Sequence, residues 1–418
     1  MNGKKKAINE HCLNSVHSYS SESNKNPLLT LTEEELVAQL CPATTLDSWT
    51  FTAKEIREAL HGDRILCPSI ELSNLCNLNC PYCYVETANT VEKEQYSNQL
   101  SFSDIDRLLR LLADSGAITV NIIGAGEPTI DPMFVKVMRL IASLKMKPLV
   151  GTNGIQIANS QEIVDVLVET DASVVLKYNS IDANNQDKLV GRMGYAAIRD
   201  KALQILWEAG LNTHKPTRLA LNSLLLKANE NEILELHSFC RTNNMTLIAG
   251  DYMPTGRTKN GEFHGEKVLC SIGQKQAADL SLYEPVEPWK RKMIAEKIAV
   301  KDARRGLYAS SSIAYVSGLP CVQALGICID NQGLIWPCPA RNQLIKGALI
   351  PSPIASIRET ESLLELWHNH SYLRDFRKSF DGSCCYKPDI KLESSDRKDI
   401  SHSHSNCGCE SVAYLKSQ

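Results

Sequence analysis

Residues 73–86 read SNLCNLNCPYCYVE. Cys76, Cys80 and Cys83 are spaced C-x3-C-x2-C, one cysteine short of a closed metal site. A structural zinc site takes four ligands, commonly as two C-x2-C pairs, and a redox C-x2-C motif takes two, so neither accounts for Cys76. Three thiolates suit a [4Fe-4S] cluster held by three of its irons, with the fourth open to an external ligand. An open position on a metal is where chemistry takes place.

Outward from this loop the chain alternates strand and helix. SIELS precedes it, and SFSDIDRLLRLLADSG, ITVNIIG, MFVKVMRLIASLK, PLVGTNG, QEIVDVLVE and ASVVLKYNS follow, then AAIRDKALQILWEAG, TRLALNSLLL, NEILELHSFCRTN and TLIAGDYMP. The strands are short, β-branched and apolar on both faces, as parallel strands covered by helices are, and the helices carry apolar residues at helical spacing. About six βα units end near Gly256. Such a series closes into a partial (β/α) barrel or opens into a doubly wound sheet, and both place chemistry at the C-terminal ends of strands. The cysteine loop follows the first strand, at that edge.

Upstream, Thr32 with Glu35 and Thr52 with Glu55 have capping-box spacing and predict two short helices. Residues 1–28 are polar, Ser- and Asn-rich and without periodicity, which predicts a disordered tail. The expected organisation is therefore a tail (1–28), a helical segment (29–66), the βα unit (67–257), a linker and helix (258–309) and a cysteine-rich region (310–418).

The 418 residues exceed one ordinary core. With 45 Lys and Arg against 48 Asp and Glu, the net charge is -3, which gives no argument for nucleic acid or an anionic membrane. The basic start lacks an apolar h-region, and no apolar run approaches the roughly 18 residues of a membrane span, so a cytoplasmic protein is expected. In a reducing compartment 15 cysteines point to metal ligands or buried apolar residues rather than disulfides.

The C-x3-C-x2-C loop, with Tyr82 before its last cysteine and a strand before its first, resembles the radical S-adenosylmethionine (radical SAM) family. GAGEPTIDP, ending the second strand, resembles that family's Gly-Gly-Glu-Pro segment, with Ala125 between Gly124 and Gly126. The resemblance implies an α/β fold built on a partial (β/α)6 radical SAM barrel. It implies that Cys76, Cys80 and Cys83 hold the catalytic cluster and that Gly124, Gly126 and Glu127 lie at the amino group of SAM. Asn153 in GTNG, Lys177 and Asn179 in KYNS, and Asn222 in LNSLLL match strand ends that contact its carboxylate and ribose. It also implies that reduction of the cluster cleaves SAM to a 5′-deoxyadenosyl radical, which abstracts hydrogen from a substrate. A reducing partner such as flavodoxin or ferredoxin would supply the electron.

The last hundred residues hold seven cysteines among Gly, Pro and turn residues, a composition that suits a small metal-stabilised region. Gly333 predicts a hairpin between Cys328 and Cys338. This segment resembles the SPASM and twitch extensions of radical SAM enzymes, which bind auxiliary [4Fe-4S] clusters. One auxiliary cluster is assigned to Cys321, Cys328, Cys338 and Cys385, with Cys384 as the alternative to Cys385. The full SPASM spacing is absent, so a second cluster through Cys407 and Cys409 stays open, as does a zinc site of four cysteines. His402 and His404 read as solvated, and Cys12, Cys41, Cys67, Cys240 and Cys270 as core or incidental.

Extended members of the family often modify ribosomal peptides, by crosslinking, epimerisation or side-chain oxidation. A peptide is the first substrate class expected. A small metabolite such as a sugar, aminocyclitol or cofactor precursor is the second. A non-catalytic iron-sulfur or zinc protein is the reading of another class, and it predicts no SAM binding. No nucleic-acid or membrane partner is expected.

Overall fold

The computed structural model describes residues 30, 32–33, 46–72, 74–83, 99–251, 283–305, 322–337 and 353–379. Six parallel strands follow one another: β1 (Ser69–Ile70), β2 (Thr119–Ile122), β3 (Lys147–Thr152), β4 (Ser173–Lys177), β5 (Leu219–Leu225) and β6 (Thr246–Asp251). Each pairs with the next, so the strand order never reverses. A doubly wound sheet requires a reversal, and the alternative left open by periodicity is thereby settled in favour of the partial barrel.

The helices are α1 (Ala53–His61), α2 (Phe102–Asp114), α3 (Phe134–Ser143), α4 (Gln161–Glu169), α5 (Ala183–Val190), α6 (Tyr195–Glu208), α7 (Ile233–Thr242) and α8 (Pro288–Ala303). Thr52 caps α1 in the expected capping box, its hydroxyl accepting from the Glu55 amide while the Glu55 carboxylate accepts from the Thr52 amide. Outward-facing residues such as Val120, Val150, Val174, Leu176 and Leu221 are buried with apolar residues of the helices, among them Leu109, Val137 and Leu206.

The inner face is filled from below. Leu149, Val175, Ala220 and Ile248, alternate residues pointing into the barrel, cluster with Leu46, Trp49 and Phe51 of the segment before α1. A 3-10 turn at Asp47–Trp49 is pinned there. Trp49 Nε1 donates to Asn121 Oδ1 at 2.9 Å, and the Ser48 and Ser173 hydroxyls lie 2.8 Å apart. This plug was not foreseen, because a three-residue turn carries no periodicity. It closes the N-terminal end and leaves the C-terminal end for the site.

The sheet does not stop at β1. Strand β7 (Cys328–Ile329) pairs with it in parallel, and β8 (Leu334–Trp336) and β9 (Ala355–Ser356) follow antiparallel. Gly333, at φ 84°, turns the hairpin between β7 and β8 as expected. The short helix α9 (Val322–Leu325) precedes β7, and α10 (Leu363–Asn369) and α11 (Ser371–Ser379) follow β9. Helix α8 is anchored to α7 through buried Asp302, which receives Arg241 Nε at 2.9 Å and Nη2 at 3.0 Å and lies 3.0 Å from His237 Nε2. Among the described residues no helix is long and apolar enough to cross a membrane.

The polar tail, the Thr32–Glu35 helix, Cys12, Cys41, Cys270, His402 and His404 lie wholly or in part outside the described residues. The same holds for Cys321, Cys338, Cys384, Cys385, Cys407 and Cys409.

Candidate active site

The cysteine loop crosses the C-terminal mouth of the barrel and is fastened to three successive strand ends. Past β2, the Glu127 amide donates to Leu75 O at 2.6 Å. Past β3, Asn153 Nδ2 donates to Asn77 Oδ1 at 2.7 Å. Past β4, Asn179 Nδ2 donates to the Tyr82 hydroxyl. Arg192, in the turn between α5 and α6, adds a bond from Nη1 to Asn77 O at 3.3 Å. Between these anchors Leu78 is buried against Ile155, Val190 and Tyr195, and Tyr82 against Leu189, Leu226 and Tyr283. Cys80 borders both clusters.

The glycines of GAGEP are explained by this fastening. A Cβ on Gly126 would stand 1.9 Å from Leu75 O, so only glycine lets the end of β2 lie against the cysteine loop. A Cβ on Gly124 would stand 1.9 Å from Gly126 O, so that glycine serves the turn itself.

Glu127 is buried and its carboxylate is engaged within the protein. Oε1 accepts from the Thr129 amide and hydroxyl and from Thr152 Oγ1 at 2.7 Å, and Oε2 accepts from the Asn153 amide at 2.7 Å. Burial raises its pKa, and the hydrogen bonds from Asn153, Thr129 and Thr152 oppose that rise. The group welds the end of β2 to the end of β3.

Asn153, Lys177, Asn179 and Asn222 are all brought to the mouth. Lys177 and Asn222 are register partners on β4 and β5, one layer above Val175 and Ala220, and Lys177 Nζ donates to Asn222 Oδ1 at 3.1 Å. The ammonium stands 5.4 Å from the centre of the Tyr82 ring, a cation–π distance. Burial lowers the Lys177 pKa to about 8, against the pull of Cys80 and Cys83. Asn179 is buried between the Tyr82 hydroxyl and the Leu224 amide, which donates to its Oδ1 at 3.1 Å.

Sequence reasoning missed Asn77, Tyr195, Tyr283 and Arg192. Asn77 was visible inside the cysteine loop, but its partner lies 76 positions away in the chain. Tyr195 is buried on α6, where its hydroxyl donates to Asn153 O at 2.8 Å. An isolated helical tyrosine gives no sign of such a contact.

The donor set suits a cluster. Cys76, Cys80 and Cys83 are half-buried, and none is in a disulfide. Among the described residues no three His, Cys, Asp or Glu side chains form a site for one metal ion. A cluster asks for another arrangement, with one thiolate on each of three irons. Burial pushes the Cys76 thiol up to about 12, the Leu78 amide, 3.4 Å from its sulfur, pulls it down, and the nearby Cys80, Glu127 and Cys83 push it further up. Thiols so crowded need a cationic centre to ionise together. Cys328, of the expected auxiliary set, is buried on β7 in register with Ser69 of β1, the strand that leads into the cysteine loop.

Residues 70–240 match the sequence profile of the Radical SAM superfamily. A probable GTP 3′,8-cyclase of Methanothermobacter thermautotrophicus is 23% identical over 310 residues, 72% of this chain and 93% of that protein. A PqqA peptide cyclase of Granulibacter bethesdensis is 23% identical over 352 residues, 82% of each chain. The crystal structure of Streptococcus suis SuiB bound to S-adenosylmethionine superposes with a TM-score of 0.54 at 18% identity, over 79% of this chain and 76% of that one, and shares the fold. The profile match, the enzymes among the relatives and the barrel with its cysteine loop agree: residues 70–240 are a radical SAM domain, and the chain is an enzyme built on it.

Proposed function

We propose that the chain cleaves SAM reductively at a [4Fe-4S] cluster held by Cys76, Cys80 and Cys83 and uses the resulting radical to modify a peptide. The fastening of three cysteines over the open end of the barrel carries this reading. Cys76, Cys80 and Cys83 would hold the cluster, which when bound would supply the electron for reductive cleavage of SAM and so the means of hydrogen abstraction from the substrate. The chain's own residues position and enclose. Leu78, Tyr82, Ile155 and Tyr195 provide apolar walls around the loop, which exclude water from a radical reaction. Lys177 offers the cation that suits the carboxylate of SAM, and Asn222 holds its ammonium in place. Cys321, Cys328, Cys338 and Cys385 are proposed to hold one auxiliary [4Fe-4S] cluster, and a flavodoxin- or ferredoxin-type donor to deliver the electron.

The peptide substrate is favoured by the peptide cyclase relative, which matches over 82% of both chains. A small-molecule substrate is the second reading, favoured by the GTP 3′,8-cyclase relative. The two separate on reconstituted enzyme with SAM and dithionite. Candidate precursor peptides should raise 5′-deoxyadenosine above the substrate-free level and emerge with a changed mass. Stimulation by GTP or another small metabolite, with every peptide unchanged, would replace the first reading by the second.

A further inference from the structure

Every polar atom of Asn153 has a partner inside the protein. Its amide donates to Glu127 Oε2, its carbonyl accepts from Tyr195, its Oδ1 accepts from the Ile155 amide at 3.0 Å, and its Nδ2 donates to Asn77 Oδ1. Asn77 lies between Cys76 and Cys80, and its own carbonyl accepts from Arg192. The pair joins the middle of the cysteine loop to the rigid end of β3. We propose that Asn77 and Asn153 form a clasp that holds the cysteine loop in cluster-ready shape before iron binds, which makes Asn153 a positioning residue for the loop and not a contact for SAM.

The proposal rests on Cys76, Cys80 and Cys83 being the cluster ligands. Its physical ground is entropy. A loop from Cys76 to Cys83 that was ordered only by the cluster would charge the whole cost of ordering to cluster assembly, whereas a clasp made of protein groups meets part of it on folding. The Asn77–Asn153 bond has good geometry at a half-buried site, and it fixes the stretch between the first two cysteines, where Glu127 and Asn179 do not reach.

The test uses metal-free, reduced full-length protein and measures iodoacetamide labelling of each cysteine by mass spectrometry. Cys67 and Cys240, buried in the core, report global opening. Loss of one such hydrogen bond predicts about three- to tenfold faster labelling of Cys76, Cys80 and Cys83 in Asn77→Ala and in Asn153→Ala, with Cys67 and Cys240 unchanged. The double variant should label no faster than the faster single, since both changes break the same bond. After reconstitution both singles should lose iron to a chelator faster than the wild type. Unchanged loop labelling in both singles overturns the proposal. So does weakened SAM binding at normal iron content in Asn153→Ala alone, which would make Asn153 a SAM contact. If either alanine variant exposes Cys67 or Cys240, Tyr195→Phe decides. It removes only the hydroxyl that holds the Asn153 carbonyl, and it should speed loop labelling by a smaller factor, with no change counting against the clasp. Failure of the wild type to take up iron would refute the cluster reading, while the labelling comparison would still decide the clasp.

Discussion

Gly126→Ala is the sharpest perturbation of the site that leaves every cysteine in place. The new methyl would meet Leu75 O at 1.9 Å, Leu75 C at 2.6 Å and Asn74 C at 2.7 Å, all backbone atoms that no rotamer change can move. Loop and strand end must part by roughly 1 Å before the contact is tolerable. That parting breaks the bond from the Glu127 amide to Leu75 O, a loss of about 1 kcal/mol, and overpacking adds about 1–3 kcal/mol. Gly151→Ala is the control, because a Cβ there meets nothing closer than Ile123 Cγ2 at 3.6 Å. Thermal unfolding of the metal-free proteins should place G126A several degrees below wild type and G151A at or near it. In the reconstituted enzyme a displacement near 1 Å at the cluster loop should lower 5′-deoxyadenosine formation by about 100-fold in G126A. A G126A protein with wild-type melting temperature, iron content and SAM cleavage would refute the claim that the loop lies against this glycine.

Three further perturbations probe the scaffold. Trp49→Phe should keep the plug's apolar bulk but leave the buried Asn121 carbonyl without its indole donor, costing about 1–3 kcal/mol in denaturant unfolding, and no loss would show that the plug is not seated as described. Thr52→Ala removes the α1 cap and should cost about 1 kcal/mol by the same measurement. Burial raises the Asp302 pKa, but the hydrogen bonds from His237 and Arg241 outweigh it and bring it from 3.8 to about 2. A carboxyl lowered on folding stabilises above its unfolded value, and that stabilisation is lost as pH falls. Wild type should therefore lose about 2 kcal/mol between pH 4 and pH 2 that Asp302→Asn does not lose.

The barrel was legible because its elements are long and periodic. Helices such as Phe102–Asp114 and Ile233–Thr242 advertise their buried faces, and strands such as Ser173–Lys177 their apolar runs. The pairing of Cys328–Ile329 with Ser69–Ile70 was not legible, since two-residue strands carry no pattern. The cysteine loop announced itself by spacing alone, but the duties of its neighbours did not. Gly126 and Asn153 were expected beside SAM, and their spacing did not announce that both lie against the cysteine loop. A sequence shows which residue types gather at strand ends, but only the fold shows which of them face each other.

Iron and sulfide per chain, measured with 5′-deoxyadenosine formed from SAM under dithionite, test the central claim in wild type and in Cys76→Ala, Cys80→Ala and Cys83→Ala. The account predicts about eight irons in the wild type, four at the cysteine loop and four at the auxiliary site, with 5′-deoxyadenosine produced. Each variant should lose the product and about four irons while keeping the rest. SAM cleavage retained in all three variants, or zinc in place of iron with no 5′-deoxyadenosine from the wild type, would contradict it.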